Sequence, residues 1–263
     1  MGLYGFNETQ IIAFFASLVR VSFLLMLLPI FGDNVIPATV KIFLSFTVNL
    51  IVFPVATSVG IGQVAAMAST DMGMAGLVVR EACVGGIIGF IGKIFFDSLS
   101  FAFGHMGNQM GFNMAASYDH HSESSIPVIS NLIMILATLL FLALDGHHLF
   151  LKAIVQSYQL IPLGGFVFSK AVVAYVLDTS SQLFWIACKL SAPMALMIFL
   201  INCAFGIVSK AVPQINVLVV SFTVNILAGF LVIALTLPVF GSSVSEIFVM
   251  MMDRMMHVIG MLA

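Results

Sequence analysis

The sequence predicts an all-α protein built into a membrane, a bundle of long, partly kinked helices and helical hairpins. Two observations carry that prediction. Of the 263 residues, 61% are hydrophobic and only 8% are charged, and the mean hydropathy is +1.18; a soluble domain is about one quarter charged. No soluble fold of this length has enough interior to hide so much apolar surface, so membrane lipid or partner subunits must cover it. The second observation is periodic: apolar runs of about 20 residues recur, each able to cross a hydrocarbon layer roughly 30 Å thick.

The first run covers about 11–31 and carries Arg20 near its middle; Asn7 to Gln10 precede it as a helix N-cap. A second run, about 38–59, holds Lys41 and Pro54 and is expected to end in a small-residue turn from Gly60 to Thr70. The third, Met72 to Phe103, is too long for one simple span and holds Arg80, Glu81, Lys93 and Asp97. Its Gly85 and Gly89 form a GxxxG, which lets two helices approach at backbone distance. A fourth run, about 126–144, stops at Asp145-Gly146-His147-His148, and apolar sequence resumes to Pro162 and the turn Leu163-Gly164-Gly165. The run 168–209 is expected to break or kink at Pro193. The last, about 217–237, is expected to end at Pro238 and Gly241-Ser242-Ser243, before a Met-rich terminal helix over 244–263. No convincing internal repeat is visible, and the basic residues are too scattered to orient the chain.

Residues 104–125, GHMGNQMGFNMAASYDHHSESS, resemble neither flank. Met106, Met110 and Met114 recur every fourth residue, and Gly104, Gly107 and Gly111 loosen the backbone between them. In a helix the Met side chains would form one stripe with the glycines on roughly the opposite face. Three glycines would cost that helix roughly 2–3 kcal/mol relative to alanine. The stretch therefore reads equally as a helix or as a soft, Met-lined loop. Met adapts to differently shaped contacts, so an adaptable seal stands beside ordinary core packing.

The formal net charge of −2 and singly scattered basic residues exclude nucleic acid as the main partner. Cys83, Cys188 and Cys203 lie in apolar runs without metal spacing and read as small buried hydrophobes. Charges within apolar runs are more telling, because each costs at least about 2.5–3.5 kcal/mol at a bilayer centre unless paired. For Arg20, Arg80 and Glu81, a structural ion pair between helices is preferred over a direct role in transport. Lys93 and Asp97, four residues apart, share a helix face. Asp145, His147 and His148 carry metal-ligating groups, but neighbouring helix positions diverge, so a polar turn is preferred and neither metal nor cofactor is expected. Asp119, His120, His121 and Glu123 are treated alike, with pH sensing left open. No GxSxG, HExxH or Walker loop appears, and no enzymatic activity is expected. Two other classes remain: a small-molecule secondary transporter using intramembrane charges, and a membrane enzyme using His147 and His148.

Several separated pieces together resemble the FliR family of flagellar export-gate proteins and its SctT relatives in injectisomes. They are Arg20 with Leu27-Leu28-Pro29-Ile30-Phe31-Gly32 and Val35-Ile36-Pro37; Arg80-Glu81-Ala82 with Val84-Gly85 and Ile88-Gly89-Phe90; and Gly107 to Gly111 with Ala115. Ile126-Pro127-Val128-Ile129-Ser130, Asp145-Gly146-His147-His148, Ser157, Pro162 and Pro213-Gln214-Ile215-Asn216-Val217 follow in order. The chain departs from the pattern at two turns: Asp119 is followed by His120 instead of proline, and Lys210 stands where arginine is common.

The resemblance implies a single FliR-like domain over 1–263, present as one copy beside several FliP-like and FliQ-like subunits in a closed helical assembly. It implies a conduit for unfolded export substrates across the bacterial inner membrane, within the flagellar basal body, and an FlhB-like switch protein as a further partner. The residues do not choose between flagellum and injectisome; the flagellar system is taken as the expectation. The family's pore plug maps onto about 106–123, through Met106, Gly107, Gln109, Met110, Gly111 and Phe112, with Met114 completing the stripe. Arg20, Arg80, Glu81, Lys93 and Asp97 are the charges expected to serve assembly.

Overall fold

Asn7, extended at φ −70° and ψ 148°, stands at the start of the first helix, and its N–H donates to the Gln10 side chain at 3.1 Å. A computed structural model of the chain describes residues 7–28, 36–111, 128–212, 214 and 216–263. Among them are seven helices and no strand. They are α1 (Glu8–Leu27), α2 (Ala38–Ala68), α3 (Asp71–Gln109), α4 (Val128–Ala143), α5 (Gly146–Leu160), α6 (Lys170–Ala211) and α7 (Val217–Leu262). Five helical segments are long and apolar enough to cross a membrane, and α4 with α5 supplies a sixth if the pair counts as one broken span.

The helices run through several expected breaks. The small residues Gly60 to Ala68 continue α2, and the turn moves to Ser69-Thr70. A Cβ on Gly60 would lie 2.5 Å from the Leu163 backbone nitrogen, so this glycine serves close packing within a helix. Pro193 lies inside α6 without a break, and α7 continues through Pro238 and Gly241–Ser243 to Leu262. Each proline removes one backbone hydrogen bond. Hydroxyls nearby engage the same stretch of carbonyls: Ser191 donates to Cys188 O at 3.0 Å and Thr236 to Val232 O at 2.8 Å. In apolar surroundings a helix that keeps its remaining internal bonds is favoured over an open turn with unpaired backbone groups. The third run is likewise one helix of 39 residues, about 60 Å long at 1.5 Å per residue.

The chain divides into two compact units, with boundaries inside α3, α4, α6 and α7. Unit 1 takes the described residues of Met1–Phe95, Leu142–Ser180 and Val249–Ala263. In it α1 and α2 form a hairpin, with the Phe14 ring edge-on to Phe46 and Phe53 at 5.4 and 5.2 Å. Asn49 Nδ2 donates to Phe14 O at 3.2 Å across the pair. The GxxxG of α3 meets α1: a Cβ on Gly85 would run into Arg20 O, and one on Gly89 would lie 2.9 Å from Leu24 O. Two glycines four apart thus match two α1 residues four apart. Val21, Leu24, Val84, Ile88, Phe150 and Met255 fill the buried space.

Unit 2 takes the described residues of Phe96–Phe141 and Ser181–Phe248. Phe141 sits edge-on between Phe96 and Phe248, at centroid distances of 5.2 and 5.4 Å, tying α4 to α3 and α7. Asn225 Nδ2 donates to Asn202 Oδ1 at 3.0 Å, joining α7 to α6.

Candidate functional site

Three of the charges that the sequence placed inside apolar helices, Arg20, Arg80 and Glu81, converge in unit 1. Arg20 and Glu81 are completely buried, their side chains 1% and 0% exposed. Nε of Arg20 donates to Glu81 Oε2 at 2.6 Å and Nη2 to Oε1 at 3.1 Å, a two-pronged guanidinium–carboxylate pair. Nη1 turns the other way and donates to Ser157 O at 3.1 Å and Ile161 O at 3.0 Å. Those carbonyls lie where α5 ends, and the carbonyl end of a helix favours a cation; Ser157 O also accepts from the Ile161 N–H at 2.8 Å. The guanidinium carbon rests 4.3 Å from the centre of the Tyr158 ring, whose hydroxyl donates to Ser17 O at 2.9 Å.

Glu81 has a second partner. The Gly164 N–H donates to Oε1 at 2.8 Å, while Arg80 Nη1 donates to Gly164 O at 2.8 Å. Gly164 has φ +77°, and a Cβ there would lie 2.8 Å from Met67 Sδ, so conformation and space both call for glycine. Neighbouring residues of α3 therefore hold both polar groups of one turn residue. The node joins α1, α3, the end of α5 and the turn after it. Every charge in it is met, which makes it a device for fixing helices.

The second feature lies in unit 2, where α3 reaches the Met/Gly stretch. Residues 104–109, the start of the 104–125 stretch that reads equally as a helix or as a soft loop, form the last turns of α3. The helix continues because Met106 and Gly107 are buried, and that packing offsets the glycine cost. Met110 is fully buried, and its side chain fills the space a Cβ on Gly229 of α7 would occupy. Gly111 ends the helix at φ +89°, its N–H donating to Asn108 O at 3.0 Å. A Cβ on it would lie 2.9 Å from the Phe222 ring. Gln109 Nε2 lies 3.3 Å from His105 Nε2, and the His105 ring stacks on Phe101 at 6.2 Å.

Phe112, Met114, Asp119, His120, His121 and Glu123 lie outside the described residues. Lys93 is half-buried and Asp97 exposed, four positions apart on α3. Tyr158, Gly229 and Phe222 were not singled out from sequence. The signals were slight: a tyrosine beside Ser157, a lone glycine within the 217–237 run, and one phenylalanine among 25.

Fold and node together define a class: a helical protein of multiple membrane spans, held by buried ionic hydrogen bonding and open-faced in apolar side chains. Residues 11–251 match the family of bacterial export proteins, family 1, and the chain belongs to that family. It is similar to the flagellar biosynthetic protein FliR of Bacillus subtilis, 29% identical over 252 residues that make up 95% of each chain. The flagellar biosynthetic protein FliR of Caulobacter vibrioides is 29% identical over 218 residues, 83% of this chain and 85% of that one. That of Escherichia coli is 25% identical over 235 residues, 89% and 88% of the two chains.

Proposed function

We propose that this chain is a component of the flagellar type III export apparatus, a gate subunit lining and closing the conduit by which unfolded proteins cross the bacterial inner membrane. Family membership and relatives named for flagellar biosynthesis support the system. The observation that supports gating is the end of α3. Met110 is buried on Gly229 and Gly111 turns the chain, so the Met/Gly segment leaves the helix from an anchored point. In this reading Met106, Gly107, Gln109, Met110 and Gly111 form the base of the plug, with Phe112 and Met114 beyond it. The node of Arg20, Glu81 and Arg80 holds α1, α3 and the end of α5 together, and Lys93 and Asp97 serve assembly.

FliP-like and FliQ-like subunits in several-fold excess, one copy of this chain and an FlhB-like switch protein make up the assembly in this reading. The exposed apolar faces support such partners. On α2, Ile42, Phe43 and Ile51 are about 70% exposed, and in unit 2 Trp185, Phe199 and Leu235 stand out similarly. Isolated apolar patches of that size need a cover of lipid or protein.

Deleting 106–113 tests the gate: the assembled complex is expected to leak ions or small solutes in a flux assay. An unchanged seal in a properly assembled complex ends the plug reading. Copurification with an excess of two other helical membrane proteins is expected, whereas solute uptake by the isolated chain would point to a transporter.

A further inference from the structure

We propose that Asp145, His147 and His148 form a binding site for a divalent transition ion of the zinc class, independently of the export reading. Adjacent histidines on a regular helix diverge, and for that reason the sequence argues against a shared ligand. The structure places them otherwise. They stand at the first turn of α5, their ring centroids 4.2 Å apart. One ligand atom from each of the three residues lies within 4.8 Å of the other two.

The spacing of one of the three pairs suits an ion as it stands. Asp145 Oδ1 and His148 Nδ1 are 3.3 Å apart. Two donors held about 2.0–2.1 Å from a tetrahedral centre stand roughly 3.3–3.4 Å from each other. Among the described residues, the Asp145 carboxylate is paired with His148 alone. Asp145 occupies the N-cap of α5, where aspartate ordinarily accepts from the helix amides, yet its side chain makes no capping bond. Its backbone is left-handed at φ 55°.

A second, separate observation concerns His147. Its Nδ1 is buried and has no hydrogen-bond partner among the described residues, while buried polar atoms are ordinarily paired with protein, water or an ion. Two imidazoles and one carboxylate favour zinc, copper or nickel over magnesium or calcium, which prefer all-oxygen shells. Three protein donors leave a fourth position for water. Bound metal would cross-link the residue that starts α5 to its first turn, and so stiffen the junction between the fourth apolar run and its continuation.

The test uses the 263-residue chain, purified in detergent through a tag other than polyhistidine, stripped with chelator and titrated with zinc and with cobalt as its spectroscopic stand-in. One ion per chain is expected, with a cobalt spectrum of tetrahedral type. Asp145→Asn and His148→Gln alter exposed side chains and leave the fold intact. Each should weaken binding by more than about tenfold, since even a lost supporting partner costs roughly 10–100-fold. The His147→Ala, His148→Ala double variant should abolish it. Absence of saturable binding in the parent chain overturns the proposal, as does uptake of several ions unchanged in Asp145→Asn and His148→Gln. If the double variant fails to fold, those two single variants decide.

Discussion

Glycine makes room for a neighbouring helix at Gly85 and at Gly229, and the two contacts are secured by opposite means. At Gly85 in unit 1, α3 meets α1 beside an ion pair whose groups each have fixed directions: two prongs to Glu81, two donations to the end of α5, one amide from Gly164. At Gly229 in unit 2, α7 meets the end of α3 over Met110, an unbranched side chain with no directional demand. Directional contacts permit one arrangement and penalise every other, because a buried charge without its partner is costly. A thioether packed against a glycine loses contact area gradually as the surfaces part. The first region suits a frame, and the second suits a surface that yields.

The two regions should therefore differ in what breaks them. Glu81→Ala leaves Arg20 buried and unpaired and should cost about 3–5 kcal/mol, read as a loss of thermal stability in detergent. Combining Arg20→Met with Glu81→Leu should recover most of that loss, since well-packed apolar groups of similar volume often replace a buried pair without penalty. Failure of the double variant to recover would show that the bonds to Ser157, Ile161 and Gly164 matter more than the pair itself. Met110→Ala should cost less, about 2–3 kcal/mol, and Met110→Leu under about 1.5 kcal/mol. Arg20→Lys, though equally conservative in name, should be poorly tolerated because an ammonium cannot reproduce the two-pronged geometry. Equal sensitivity of Met110→Leu and Arg20→Lys in one unfolding assay would erase the contrast.

Smaller effects follow. Gly111→Ala places a side chain at φ +89° against Phe222 and should cost roughly 1–2 kcal/mol, visible as easier proteolysis just after the helix. Arg254→Ala removes an ion pair to Asp178 whose side chains are 22% and 57% exposed. Such a pair should be worth less than about 1 kcal/mol and vanish at high salt. A large loss there would mean that pairing in unit 1 depends on more than burial.

The apolar runs were legible because burial in lipid needs length and composition alone, and α1, α2, α4 and α6 start within a few residues of their expected places. Breaks were less legible. Pro238 and Gly241–Ser243 stop helices in water, where open backbone finds solvent partners; inside α7 there is no such alternative. Arg20 and Glu81 stood out as charges in the wrong surroundings, but their pairing spans 61 residues and carries no local pattern. Gly164 was visible only as a turn, because nothing nearby announces that its peptide group is held from α3. Gly229 gave the weakest signal, a glycine whose purpose lies in a methionine more than one hundred residues earlier. His147 and His148 bring their ring centroids within 4.2 Å of each other, a closeness that divergence along a regular helix does not announce.

The Arg20 contacts also set a schedule. A chain made from its N-terminus delivers α1 to the bilayer with a guanidinium that alone costs about 2.5–3.5 kcal/mol there. Glu81 follows 61 residues later, and the carbonyls of Ser157 and Ile161 come 137 and 141 residues after Arg20. The first helix thus enters the membrane incompletely satisfied and is completed only when more than half of the protein has been synthesised.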